Sequence, residues 1–434
     1  MSEMKTFLKY VIPSVLSFAL SGVYAIVDGF FVGHSIGDAG LSAINIAYPV
    51  SAFLQAAGTG VGMGGAVYYS ISRAEKKEKR SEEFLSATLW LLIFLSVILT
   101  VSAFLLNRPV LNLLGAKGEL LTLGMEYNAV IALGAGFQIL STGLVPFIRN
   151  HGGPFYAMIS MIAGFITNVI LDYLFVWVLG FGMTGAALAT ILGQGVTLVF
   201  SLVYFFRKKI FSLRISFSRV LALSVPICKV GLSPFGLTMT PNISLIIINW
   251  FCVIYGGDQA VAVYACIAYI ICIVYLIFQG VGDGSQPVIS RYYGENQTGR
   301  LRSIRRLAYG FAILLALISC AILFAARDLI GVLFGSSPDV NLEITRIMPV
   351  FLVSIPFVAV TRVTTASFYA TEESILSYIL TYIEPVLMLV LMLILPPLFG
   401  GQIMVWWSTV IARVMAAILA LILKKSADRR KLAG

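Results

Sequence analysis

Gly60-Val61-Gly62-Met63-Gly64 returns, 220 residues later, as Gly280-Val281-Gly282-Asp283-Gly284. The same shift places Gly37-Asp38 on Gly257-Asp258, Ser70 on Ser290 and Glu75 on Glu295, and a basic break follows each glutamate. One offset shared by separate segments marks an internal repeat. The glycine run also fits the dinucleotide pattern G-x-G-x-x-G, but it lacks a flanking strand and lies inside an apolar stretch. Close helix packing is the better reading of it.

The chain around the repeat is built for hydrocarbon. Its 434 residues are 59% hydrophobic and 12% charged, with mean hydropathy +0.95. That excludes an ordinary soluble domain. A bilayer core needs about 20 apolar residues per helix. Twelve apolar runs lie between charged or turn-rich breaks, at roughly 8–33, 43–72, 85–107, 120–147, 155–179, 183–206, 231–255, 259–289, 306–326, 345–370, 375–399 and 402–423.

Six runs per half make the repeats parallel, related by an axis along the membrane normal, an arrangement that places substrate between the halves near midplane. The expected fold is therefore an all-α polytopic membrane protein, with twelve transmembrane helices in two pseudo-symmetric six-helix bundles around a central cavity. Residues 1–206 form the N-terminal lobe, 207–230 a cytoplasmic linker opening on Arg207-Lys208-Lys209, and 231–434 the C-terminal lobe. The long second and eighth runs contain glycine and are expected to tilt or bend. Pro226, Pro234 and Pro241 are expected to break the start of the seventh. The first run is too long for a signal-peptide core, and Glu3 sits in its leader.

A net charge of +10 invites a nucleic-acid reading, but the distribution argues otherwise. With the N-terminus inside, the inside-facing breaks hold 24 of the 30 Lys and Arg residues. Arg108, Lys117, Arg327 and Arg346 fall outside, and Arg362 and Arg413 within spans. The positive-inside rule thus puts both termini in the cytoplasm, and the basic surface faces lipid headgroups rather than nucleic acid.

Cys228, Cys252, Cys266, Cys272 and Cys320 lie in or beside apolar runs, with no C-x-x-C pair, and read as small core residues. His34 and His151 lie near span ends or in breaks without a nucleophile or metal neighbour. An enzyme is not expected.

An ionised carboxylate in a membrane segment costs several kcal/mol, of order 3 or more, and usually handles ions or substrate. Asp28 sits in the first run, either reaching interfacial water near its outer end or facing a site within. In the fifth run, Asn168 and Asp172 are spaced i, i+4 and share one helix face. Thr190, in the sixth run, can oppose them. Oxygen-only ligands suit a hard monovalent cation or a proton, not a transition metal. In the second half, Asp283 and Glu384 are the membrane acids, with Arg362 and Arg413 as candidate partners of Glu384. Pro385 loosens the helix beside it. Gln55, Asn242, Asn249, Asp283 and Glu384 are the candidate substrate-binding residues. Thirteen methionines and 12% aromatics would suit an adaptable pocket.

Several segments in order resemble the MATE (multidrug and toxic compound extrusion) family. They are Val27-Asp28-Gly29-Phe30-Phe31-Val32-Gly33-His34, then Arg149-Asn150 through Pro154 with Asn168-Val169-Ile170-Leu171-Asp172-Tyr173. Next come Gly182-Met183-Thr184-Gly185-Ala186-Ala187-Leu188-Ala189-Thr190 and Gly284-Ser285-Gln286-Pro287 followed by Tyr293-Gly294. The resemblance spans essentially the whole chain. It implies two six-helix bundles, a V-shaped central cavity and drug export driven by entry of Na⁺ or H⁺. It also implies a cation site at Asp28, Asn168, Asp172 and Thr190. The chain departs from the family's pattern at Thr371-Glu372-Glu373, where many members carry Gly-Lys, and its seventh helix lacks an acid used by some members.

The expectation is an inner-membrane antiporter, a monomer with no cofactor beyond the coupling ion. It would export organic cations or amphiphiles in exchange for H⁺ or Na⁺. A lipid-linked precursor flippase of the same wider superfamily is the rival reading, for which a basic cavity and extra helices would be expected.

Overall fold

A computed structural model describes residues 2–433, all of whose regular elements are helical. They are α1 (Glu3–Ile36), α2 (Asp38–Ala74), α3 (Glu78–Leu105), α4 (Asn107–Leu113), α5 (Gly118–Leu133), α6 (Ala135–Asn150) and α7 (Pro154–Asp172). A π-helical turn (Tyr173–Val178) leads on to α8 (Gly182–Arg207), α9 (Phe217–Gly294), α10 (Thr298–Leu333), α11 (Pro338–Tyr369), α12 (Ser374–Phe399) and α13 (Gln402–Ala433).

Among the described residues, nine helical segments are long and apolar enough to cross a bilayer. α5 and α6 together make a further span, bent by 56° at Gly134. α9 is two spans run together, because its 78 residues are helical except at Gly257 (φ 62°, ψ −158°). α2, 37 residues long, completes the twelve. All twelve apolar runs thus appear as helical spans.

One correction concerns the start of the seventh run. Helix α9 already starts at Phe217, so most of the expected linker 207–230 is helical and only a short stretch after Arg207 is irregular. Pro226, Pro234 and Pro241 all lie within α9 and do not break it. A proline removes one backbone bond, but neighbouring helices can support the rest of the helix around it.

The backbone carries the repeat further than the sequence does. Gly37 and Gly257, Lys76 and Asn296, Gly115 and Gly335, Gly152 and Glu372, and Gly180 and Gly400 all have positive φ, and each pair is 220 residues apart. These are left-handed turn positions, which cost L-residues strain. The two halves therefore turn at the same places even where the residue types differ.

The chain groups into two compact units. One contains residues 1–19, 240–289 and 298–434, the other 20–239 and 290–297. Each unit thus includes the opening stretch of the other half's first helix. Within the second of these units, the α2 glycines are contact points. A methyl on Gly62 would strike the backbone of Gly143 in α6, one on Gly64 the carbonyl of Ile227 in α9, and one on Gly65 the side chain of Thr88 in α3. Three helices, α3, α6 and α9, close on α2 through these positions, so α2 trades hydropathy for close approach. In the other unit, a methyl on Gly284 would lie 2.8 Å from the Val11 Cα.

The turn Arg149–Pro154 is anchored by His151. Its Nδ1 lies 2.7 Å from the Tyr69 hydroxyl and 2.9 Å from an Arg73 guanidinium nitrogen. Both neighbours can donate, so Nδ1 is the acceptor and the ring is neutral. Burial, then the positive charges of Arg73 and Lys208, push the His151 pKa down to about 4.

Gly64→Val and Gly284→Val are each expected to cost roughly 1–3 kcal/mol through overpacking. Gly310→Val, where nothing lies within 4 Å, is expected to cost nothing measurable. Thermal unfolding of the purified protein in detergent checks this, and equal midpoints for all three would contradict the packing account. A second outcome follows from His151. With its folded pKa below the unfolded value near 6.5, its contribution to stability is complete above about pH 6.5 and is lost as pH falls toward about 4. His151→Gln should flatten the unfolding midpoint across that window.

Candidate functional site

Asn168 and Thr190 meet because α7 and α8 cross on glycines. A methyl on Gly193 would lie 2.8 Å from the Gly164 carbonyl and 2.9 Å from the Asn168 Cβ. With no side chain at either position, the two backbones approach closely. The Asn168 amide nitrogen then donates to the Thr190 hydroxyl at 3.5 Å, and that hydroxyl donates to the Ala186 carbonyl at 3.1 Å. Thr190 keeps lone pairs free for another partner.

Asp172 is the last residue of α7 and is fully buried. Directly after it the helix widens into the π-helical turn, where the Leu179 N–H donates to the Leu174 carbonyl at 2.9 Å. Such π-turns are frequent at functional sites. The turn also presents Tyr173 and Trp177 to α1. Phe31 lies against both rings, and Phe30 stacks on Trp177 at a centroid distance of 6.4 Å. About two turns earlier, Tyr24 stacks on Phe165 at 5.2 Å. These contacts hold α1 on α7, with Asp28 between them.

The Asp28 and Asp172 side chains lie side by side and interact directly. Neither Asp172 oxygen, nor Asp28 Oδ1, nor Asn168 Oδ1 has a hydrogen-bond donor among the described residues. All four residues expected to form the cation site therefore converge. They leave a cluster of acceptor oxygens without donors, which is the complement of a small cation or a proton. No signal in the sequence pointed to the surrounding ring of tyrosines. Tyr24 and Tyr127 stand within electrostatic reach of both acids, Tyr48 is a neighbour of these two tyrosines, and Tyr127 bonds Thr190. Tyr127 lies 99 residues beyond Asp28 in the sequence, and only the folded chain brings it there.

The candidate substrate residues are dispersed. Gln55 is half-buried on α2, and Asn242 and Asn249 are half-buried on α9. Asp283 is buried, accepting from the Tyr369 hydroxyl at 2.7 Å and from Gln279 at 2.8 Å. Gln279 in turn accepts from Arg362 at 3.4 Å. Glu384 pairs with Arg413 at 3.1 Å, and Arg413 lies 5.1 Å over the Tyr275 ring. Of the two arginines considered as partners for Glu384, Arg413 fills the role.

The second repeat has a different interior at the equivalent positions. The counterparts of Asp28, Asn168, Asp172 and Thr190, 220 residues on, are Ile248, Met388, Met392 and Val410, all buried. The counterparts of Gly164 and Gly193 are Glu384 and Arg413. A glycine crossing in one half is an ion pair in the other.

The sequence profile of the MatE family matches residues 13–174 and 234–394. The multidrug export protein MepA of Staphylococcus haemolyticus is 26% identical over 431 residues, which cover 99% of this chain and 95% of that protein. The MepA protein of Staphylococcus saprophyticus is 27% identical, over 97% of this chain and 93% of that protein. An outward-facing multidrug resistance MATE family transporter of the MOP superfamily superposes with a TM-score of 0.90 at 24% identity, covering 98% of this chain and 96% of that one. A MOP superfamily transporter from Pyrococcus furiosus, for which a binding pocket of reversed polarity suggests a different function, gives 0.92 at 23% identity with the same coverage. These likenesses establish the fold, with twelve helices in two bundles.

Gly193→Val should force α7 and α8 apart, at a cost of roughly 1–3 kcal/mol, and separate Asn168 from Thr190. In a variant keeping Trp177 as its sole tryptophan, Na⁺ or pH titration is expected to change the fluorescence, because Trp177 packs on the helix that carries Asp28. Adding Gly193→Val should abolish that response. An unchanged response would show that the crossing does not set the site.

Proposed function

The chain belongs to the MatE family, and from that premise we propose that it is a secondary antiporter, exporting organic cations in exchange for H⁺ or Na⁺ by alternating access. It is a multi-pass membrane transporter and not an enzyme. We place it in the cell membrane with both termini in the cytoplasm, on the distribution of Lys and Arg between alternate breaks. The names of the MepA relatives support small-molecule export as the task.

One observation carries the coupling reading. Asp28 and Asp172 lie side by side in an apolar unit, their oxygens short of donors, with Asn168 and Thr190 beside them. Two carboxylates so placed repel when both are ionised. An entering proton or Na⁺ cancels that repulsion and adds oxygen contacts from the amide and the hydroxyl. The ion-bound and ion-free sites then prefer different positions of α1 against α7 and α8. That shift of the helices weakens the binding of a cationic substrate held elsewhere in the protein, so ion binding favours its release. By linkage, substrate weakens ion binding by the same factor.

Coupling runs through the first half alone. In the second, Ile248, Met388, Met392 and Val410 occupy the equivalent positions and offer a cation no ligand. Gln55, Asn242, Asn249, Asp283 and Glu384 remain the residues we assign to the substrate path, with Glu384 acting through its pair with Arg413.

The test is ethidium movement in proteoliposomes under an imposed Na⁺ or pH gradient. Wild type should move ethidium with one gradient, which identifies the ion. Asp28→Asn and Asp172→Asn should each reduce gradient-driven movement at least tenfold while binding of the purified protein to ethidium persists. Undiminished ion coupling in Asp172→Asn would refute the mechanism.

A further inference from the structure

A cavity of about 300 Å³ lies among α2, α3, α4 and α5, closed on one side by Met239 of α9. It is separate from the acidic site, since none of Asp28, Asn168, Asp172 or Thr190 lines it. Its walls are aliphatic and aromatic, with Phe53 and Leu54 on one side and Leu99 and Val110 on another. No charged side chain faces it.

Two amides stand in this wall. The Asn107 nitrogen donates to the Met125 carbonyl at 3.0 Å, but its oxygen has no partner. Asn128 is 2% exposed, and neither its nitrogen nor its oxygen has a partner among the described residues. A buried amide left unpaired costs on the order of 1–3 kcal/mol, and exceptions of this kind concentrate at functional sites. The fold does not need an amide here. The counterpart of Asn128 in the second repeat is Met348, fully buried and apolar.

We infer that this cavity binds an uncharged, membrane-soluble amphiphile whose head group both donates and accepts a hydrogen bond, as a primary carboxamide or a protonated carboxylic acid does. Asn128 would supply the complementary donor and acceptor, Asn107 a second acceptor, and the aliphatic wall would take a short chain. A charged ligand would lie uncompensated in such surroundings. The volume is at the small end of ligand pockets and about twice that of an apolar cavity that admits benzene. The wall residue Leu106 is half exposed, and its neighbours Leu105 and Leu113 are 72% and 87% exposed. A ligand can therefore enter from the hydrocarbon. It can be a lipid-derived acid or amide, or an uncharged amphiphile of the same head-group chemistry from outside.

The probe is radiolabelled decanamide, equilibrated with the full-length protein in nanodiscs against protein-free nanodiscs. Saturable binding of one molecule per chain is expected, undisplaced by decane. Asn128→Leu should weaken binding at least tenfold, and Ala103→Phe, which fills the cavity, should abolish it. Without ligand, Asn128→Leu should unfold at the same temperature as wild type or higher, because an apolar group of similar shape replaces an unpaired amide. Binding no greater than in empty nanodiscs would overturn the proposal, as would Asn128→Leu binding within twofold of wild type. A drop of several degrees in its unfolding midpoint would also overturn it, since the amide would then be a structural hydrogen-bonding group. Mass spectrometry of solvent extracts separates the sources. A fatty acid or amide recovered from wild type but not from Asn128→Leu marks a lipid occupant. A clean extract from protein that still binds decanamide marks an external one.

Discussion

Hydrocarbon offers no hydrogen-bond partners, so every polar group inside the bilayer must be satisfied by protein or left waiting for something else. Most of the buried hydroxyls here are satisfied by their own helix. Thr88, Ser96, Ser285, Thr365, Thr371 and Thr381 each donate to a carbonyl four residues back. Against that background, acceptors without donors stand out as selected positions. Four of them, on Asp28, Asn168 and Asp172, belong to one cluster, and those of Asn107 and Asn128 to the wall of a separate cavity. Such a cluster raises the energy of the empty site and lowers that of the occupied one, which is the energetic requirement for coupling an ion to a change of shape.

Glycine supplies the geometry. The α7–α8 crossing at Gly164 and Gly193 brings Asn168 within reach of Thr190, and the π-turn after Asp172 delivers Tyr173 and Trp177 to α1. Neither device adds a ligand of its own. Both act by backbone position, which is why substitutions far from any oxygen can still disturb the site.

Much of this was legible in the chain. Apolar runs fixed the number and order of the spans, because hydropathy reports directly on the length of helix that lipid tolerates. The four residues proposed as a cation site were also readable as candidates, from i, i+4 spacing on one helix, from the cost of acids in apolar segments and from the resemblance to the family. What escaped was set by contacts between distant segments or by local backbone bonding. Tyr24 and Tyr127 look like ordinary membrane aromatics until folding places them beside the acids. The 56° bend at Gly134 and the short helix α4 lie within or next to apolar runs and leave the average hydropathy unchanged. Pro226, Pro234 and Pro241 misled in the other direction, because a proline's effect depends on whether neighbours support the helix around it.

The repeat shows how a duplicated frame can carry two different interiors. Five pairs of positive-φ turns recur at the same offset, so the backbone turns at these places in both halves. The side chains at equivalent positions differ. Where the first half is polar at Asp28, Asn168, Asp172 and Thr190, the second is filled by Ile248, Met388, Met392 and Val410. Where the first half crosses α7 and α8 on glycines, the second joins α12 and α13 through Glu384 and Arg413. A close glycine crossing depends on short-range packing, whereas an ion pair holds helices across a wider gap through longer side chains. The pair also leaves Glu384 compensated, which removes it as a free anionic ligand while keeping a polar surface inside the bundle. With the acids of the second half engaged by Tyr369, Gln279 and Arg413, the donor-poor acid pair lies in the first half, which is where the proposed coupling of an ion would act.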